Sequence, residues 1–96
     1  MIEQSGDSLR VTVPMTIANA GALLKAGRRF LQSTRSGEAV FDLSAVQDTD
    51  SSALTLVFAW LRTAREHGST LRISNPPASM ISLASLYTIS DFLPLA

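Results

Sequence analysis

Between residues 40 and 54 the hydrophobic pattern changes period in mid-run, and that change restricts the fold more than any other feature of the chain. Val40-Phe41-Asp42-Leu43 reads as a short apolar strand, a polar turn follows, and Asp50-Ser51-Ser52-Ala53-Leu54 reads as the opening of a helix. Asp50, Ser51 and Ser52 all favour a helix start, because their oxygens accept bonds from first-turn N–H groups that have no partner within the helix. The positive end of the helix dipole favours negative charge at the same place. A serine held there is a natural contact for a phosphate group or for a partner's side chain.

Patterns on either side extend this strand–helix unit into a layered domain. Leu9, Val11 and Val13 alternate with Arg10 and Thr12 as in a half-buried strand that Pro14 ends. Gly6-Asp7 just before them is a hairpin-turn pair, which makes residues 2–4 a first short strand. Thr16 is placed to cap a helix in which Ile17, Ala20, Leu24, Gly27 and Leu31 recur at helical spacing, with Leu23 and Phe30 beside them, until Ser36-Gly37 breaks it. The next strand is expected over residues 38–43, buried on both faces by its Ala39-Val40-Phe41 run. A second helix runs from about Ser51 to His67 and stops at Gly68. Leu71 and Ile73 mark another strand, closed by Asn75-Pro76-Pro77, and a third helix covers about Pro77 to Tyr87 with proline in its first turn. The apolar tail from Ile89 to Leu95 is expected to pack back on the domain. This order of strands and helices describes one α/β domain over residues 1–96, a mixed sheet with helices packed against it.

Ninety-six residues suffice for a single core. The formal net charge is zero, so there is no general attraction for nucleic acid or an anionic membrane. Cysteine is absent and His67 is the only histidine, which removes disulfides, thiolate metal sites and a zinc site of ordinary composition. No GxxxxGK[ST] or GxGxxG run is present to cradle a phosphate, and no Gly-x-Ser-x-Gly elbow accompanies the serines. Neither a secretory signal nor an apolar run of roughly 20 residues occurs, so a cytoplasmic protein without direct membrane insertion is expected.

Over residues 40–54 the chain resembles the STAS domain family, named for sulfate transporters and anti-sigma factor antagonists. Its motif is a strand, Asp-Leu-Ser, a few residues, then Asp-Ser/Thr-Ser/Gly-Gly-Leu at a helix start; here stand Asp42-Leu43-Ser44 and Asp50-Ser51-Ser52-Ala53-Leu54. The likeness covers nearly the whole chain in element order. It is greatest to the small cytoplasmic STAS subunits (MlaB type) of Mla phospholipid-transport ABC systems, on length, on Leu83-Ala84-Ser85-Leu86-Tyr87 and on Phe92-Leu93-Pro94. The resemblance implies a STAS-like single domain that is not an enzyme, takes no cofactor and binds the transporter's ATPase subunit. Such a subunit supports assembly or activity of a system maintaining outer-membrane lipid asymmetry, and sits peripheral to the inner membrane through the complex. By motif position Ser51 matches the hydroxyl residue that a partner kinase phosphorylates in sporulation-type relatives. The alternative is therefore an anti-sigma factor antagonist whose partner is an anti-sigma factor kinase and whose switch is phosphorylation of Ser51. A small nucleotide-binding module is a third class. Ala53 replaces the family's usual glycine, and Val13-Pro14-Met15-Thr16 stands where antagonists carry an acidic residue.

At about 100° per residue, Leu54, Val57, Phe58, Leu61 and Ala64 form the sheet-facing side of the second helix. Leu56, Thr63 and His67 fall on the far side, with Trp60 on the flank, an apolar stripe where a solvated face would carry charge. The expected partner-binding set is therefore Asp50, Ser51, Ser52, Leu56, Trp60 and Thr63. For Asp50 and Ser51 plain helix capping competes with that role. Lys25, Arg28, Arg29 and Arg35 read as a solvated basic face, and His67 as a C-terminal helix stabiliser.

Overall fold

Alternation along the strands decides which side of the sheet is covered. A computed structural model describes residues 1–34, 37–87 and 89–95. In it β1 (Ile2–Ser5) pairs antiparallel with β2 (Ser8–Val11) through a hairpin turn at Gly6-Asp7, as expected. Next come β3 (Glu38–Asp42), parallel to β2, and β4 (Thr70–Ser74), parallel to β3, giving the spatial order β1-β2-β3-β4. The register sets Leu9 beside Phe41 and Phe41 beside Ile73, with Ala39 beside Leu71, and all five are buried. The intervening Ser8, Arg10, Val40, Asp42, Arg72 and Ser74 lie on the opposite face, which is partly or fully exposed. β3 is thus buried on one face only, and Val40 is half-buried; the expectation of two covered faces is corrected. Period-2 side-chain direction leaves every second residue on a face that no helix covers.

Among the described residues three α-helices complete the domain: α1 (Ile17–Ser33), α2 (Ser51–Glu66) and α3 (Ala78–Leu86). α2 is the middle one, packed against α1, against α3 and against β4. It ends where expected, with His67 at the C-cap and Gly68 at φ 69°, a left-handed conformation that glycine adopts without steric cost. Pro77 sits at the N-cap of α3, one residue ahead of its expected place. β2 stops at Val11, not at Val13, and its ladder with β3 ends at Arg10 opposite Asp42. Met15 then forms an isolated parallel bridge with Thr49. The tail does fold back: Leu93 is buried, and Ile73 N–H donates to the Pro94 carbonyl at 2.7 Å along the outer edge of β4. Arg35 of the expected basic cluster and Ser36 of the expected helix-breaking pair lie outside the described residues. Among the described residues no helix is long and apolar enough to cross a membrane.

The core centres on a chain of aromatic rings. Phe41 meets Phe30 edge-on at a centroid distance of 5.8 Å and Trp60 at 4.9 Å. Trp60 is fully buried where α2 crosses Gly27 of α1, and its Nε1 has no hydrogen-bond partner among the described residues. An unbonded buried N–H costs about 1–3 kcal/mol, offset here by the large apolar area of the ring.

Candidate functional site

The strand-to-helix passage is held by two carboxylates with distinct tasks. Asp42, at the end of β3, accepts from Ser44 N–H at 2.9 Å, from Ser44 Oγ at 3.1 Å and from Asn75 Nδ2 at 3.1 Å. It therefore ties the exit of β3 to the exit of β4, where Asn75 takes a positive φ of 52°. The Ser44 backbone N–H and the Asn75 amide, helped by the Ser44 hydroxyl and by Arg10, hold the Asp42 pKa below its ordinary value against the opposing effect of burial. The Asp-Leu-Ser phrase is thus a structural clamp beneath the site.

Asp50 caps two helices at once. One carboxylate oxygen accepts from Ser52 N–H at 2.8 Å, the N-cap bond expected for α2. The other accepts from Ile17 N–H at 3.0 Å, the first amide of α1. Thr16, expected to cap α1, has the extended backbone of an N-cap residue but makes no side-chain cap bond. Asp50 does that work from 33 positions away. The Ile17 amide is the main reason its pKa lies below the ordinary value; Ser52 adds to it and desolvation opposes it. Two helix N-termini facing one carboxylate favour its charged form. Thr49 Oγ1 and Ser79 Oγ, 2.7 Å apart, join the loop before α2 to the start of α3.

With both Asp50 carboxylate oxygens bonded to helix amides, Ser51 is the exposed hydroxyl of this helix start, and it makes no hydrogen bond among the described residues. It stands on the rim of an open cavity of about 310 Å³ between the N-terminal halves of α1 and α2. Ile17, Ala20, Gly21 and Leu24 line one wall, and Ser51, Ser52, Thr55, Leu56 and Ala59 the other. Ile17, in the first turn of α1, is 75% exposed beside this cavity.

The expected partner-binding set divides accordingly. Asp50, Ser51 and Ser52 come together at the start of α2, and Leu56 forms part of the cavity floor although it is only 4% exposed. Leu56, Trp60 and Thr63 do not form an outer stripe: all three are buried, and Thr63 Oγ1 donates to the Ala59 carbonyl one turn back. The expected outer face is corrected to Ser51, Thr55, Arg62 and Glu66, which are exposed. Its cause is the position of α2, whose second buried side exists only because α1 packs on it. Phe58 and Leu61, assigned to the sheet-facing side, are half-buried beside Ile89 and Phe92 of the tail. The Ala53 methyl is also buried, so it points into the core and not into a contact at Ser51.

Ile17, Leu24 and Thr55 were missed as site residues. A signal existed: α1 carries two apolar stripes, of which Leu23, Gly27, Phe30 and Leu31 enter the core. Ile17, Ala20 and Leu24, which helical spacing alone places in one seam with Gly27 and Leu31, face the cavity.

A family model described as "Mlab, STAS domain" matches residues 1–94. The chain belongs to the STAS family, in its MlaB-type form. No curated protein matches it at a significant level. Among solved structures, this STAS domain is similar to a putative anti-sigma factor antagonist from Thermotoga maritima, with a TM-score of 0.76, 16% identity, and 99% of this chain and 83% of that one covered. It is also similar to the anti-sigma factor antagonist SpoIIAA in its unphosphorylated form, with a TM-score of 0.65, 12% identity, and 90% and 81% covered. At those identities the likeness concerns the fold. It agrees with the mixed four-stranded sheet and three helices described above.

Proposed function

We propose that this STAS domain is a non-enzymatic subunit that docks on the cytoplasmic ATPase of a Mla-type phospholipid ABC transporter and supports its assembly or activity. The observation that carries the reading is the exposed, unbonded Ser51 hydroxyl on the rim of an apolar cavity whose two helix starts are locked by Asp50. Apolar walls supply affinity by losing contact with water, and a rigidly placed hydroxyl supplies register. The MlaB-type family match supports the choice of partner. A hydrolytic role for Ser51 finds no support: His67, the only histidine, caps the far end of α2, about 24 Å away along the helix axis.

The test is titration calorimetry with the ATPase subunit, alongside thermal melts. Ser51→Thr keeps the hydroxyl and is expected to bind. Ser51→Asp and Ser51→Arg are expected to lose binding while still folding, because each forces a charge into a contact that excludes water. Unchanged binding by both charged variants would leave Ser51 a structural residue only.

One observation favours a second reading, an anti-sigma factor antagonist switched by phosphorylation. Ser51 is exposed at a helix N-terminus, where a phosphate is electrostatically tolerated, and the solved structures similar in fold include antagonists. Intact-mass analysis of protein from its native cells decides it. A phosphate on Ser51 that releases a bound kinase would replace the transporter reading.

A further inference from the structure

A second hollow adjoins the cavity beside Ser51 along the same two helices. Leu24 and Ala59, which close the cavity toward the C-terminal ends of α1 and α2, also line this hollow, formed with Arg28, Arg62, Thr63 and Glu66. The two hollows adjoin at Leu24 and Ala59 and lie in line along α1 and α2 as a furrow, apolar at the Ser51 end and basic at the other, with Lys25 and Arg29 flanking Arg28 on α1. From Ser51 to Arg62 it runs about 17 Å, three helical turns. Among the described residues none of Lys25, Arg28, Arg29 or Arg62 forms an ion pair, and Glu66 is the one carboxylate lining that end. The chain's formal net charge is zero, so this is a local separation of charge.

Resting on the reading of the Ser51 rim as a docking site, we propose that the furrow accepts a single helix of the partner protein, apolar where it meets Ile17 and Leu24 and carrying carboxylates about three turns on, where it meets Arg28 and Arg62. A groove between two helices takes a third by interlocking side-chain ridges. Unpaired guanidinium groups at one end select carboxylates in that register and speed the encounter. A flat bilayer surface does not enter a concave furrow whose other half is apolar, so an acidic helix fits better than anionic lipid.

The full chain is tested against the purified ATPase subunit by biolayer interferometry at low and at physiological salt, with the double variant Arg28→Glu/Arg62→Glu. The association rate is expected to fall about tenfold or more at low salt and to lose its salt dependence. Melting is expected to stay unchanged, since both residues are exposed. In parallel, a benzophenone side chain is installed at position 28 and, separately, at position 59, and the cross-linked peptides are sequenced. The two are expected on one helical segment, position 28 on a carboxylate-bearing turn and position 59 on an apolar one. Unchanged kinetics in the double variant overturn the inference and leave the ATPase reading standing. If the wild-type chain does not bind the ATPase, that reading fails by itself, and the cross-links formed in native extract decide the inference. One segment with the stated polarity upholds it, whereas two unrelated segments or no cross-link overturn it. Binding of phosphatidylglycerol-containing vesicles that the charge reversal abolishes, with ATPase kinetics unaltered, assigns the cations to lipid and also overturns it.

Discussion

Gly27→Ala should destabilise the domain, although the same change at Gly21, in the same helix, should stabilise it. A methyl carbon on Gly27 would lie 2.9 Å from Trp60 Cδ1 and nearer still to Nε1 and Cε2. Ordinary carbon contacts are about 3.5–4.0 Å, so relieving the tightest of these moves ring or helix by about 1 Å. The ring has nowhere to go: it is fully buried and abuts Phe41. Overpacking of this kind costs about 1–3 kcal/mol, and the tight fit argues for the upper end. Alanine recovers up to about 1 kcal/mol of helix propensity, leaving a net loss of about 2 kcal/mol. For a domain of this size that lowers Tm by about 10 °C. Gly21 is exposed, and a methyl carbon there would have nothing within 4 Å, so Gly21→Ala should raise Tm by up to about 6 °C. Thermal and urea unfolding followed by circular dichroism measure both, and Trp60→Phe in the Gly27→Ala background should couple favourably by about 1 kcal/mol. A Gly27→Ala protein as stable as Gly21→Ala would refute the placement of Trp60 against the α1 backbone.

Three further outcomes follow from the same geometry. Asp50→Asn retains one carbonyl acceptor for the two amides now served by two oxygens, so its Tm should fall between wild type and Asp50→Ala; equal melting of all three would show that Asp50 does not join α1 to α2. Asp42 and Asp50 both have folded-state pKa values below their unfolded ones, so their stabilisation is complete above the ordinary carboxylate pKa of about 3.9 and is lost as pH falls through the lower folded values. Stability measured by urea unfolding should therefore drop below about pH 4, less steeply in Asp42→Asn/Asp50→Asn, and parallel curves would contradict the assignment. Ile17→Ser should leave Tm nearly unchanged because Ile17 is 75% exposed, yet weaken ATPase binding about tenfold, the burial of an isoleucine being worth about 1.5 kcal/mol or more; unaltered affinity would move the contact elsewhere.

Local patterns in the chain were enough to place the element order, the hairpin at Gly6-Asp7, the limits of α2 and the capping of α2 by Asp50. Each of these depends on forces acting within a few residues: a turn pair, a cap oxygen, a left-handed glycine, the period of an apolar run. Three things were decided only by tertiary structure. The bond from Ile17 to Asp50 spans 33 positions, and no local pattern points to it. The open face of the sheet follows from all the helices lying on one side, which the Ala39-Val40-Phe41 run alone does not reveal. Leu56, Trp60 and Thr63 change from an expected outer stripe to buried positions because α2 has neighbours on two sides. A helical wheel gives the angle between residues, whereas burial depends on how many elements surround the helix, and Gly27 on a separate helix is what admits α1 close enough to cover that stripe.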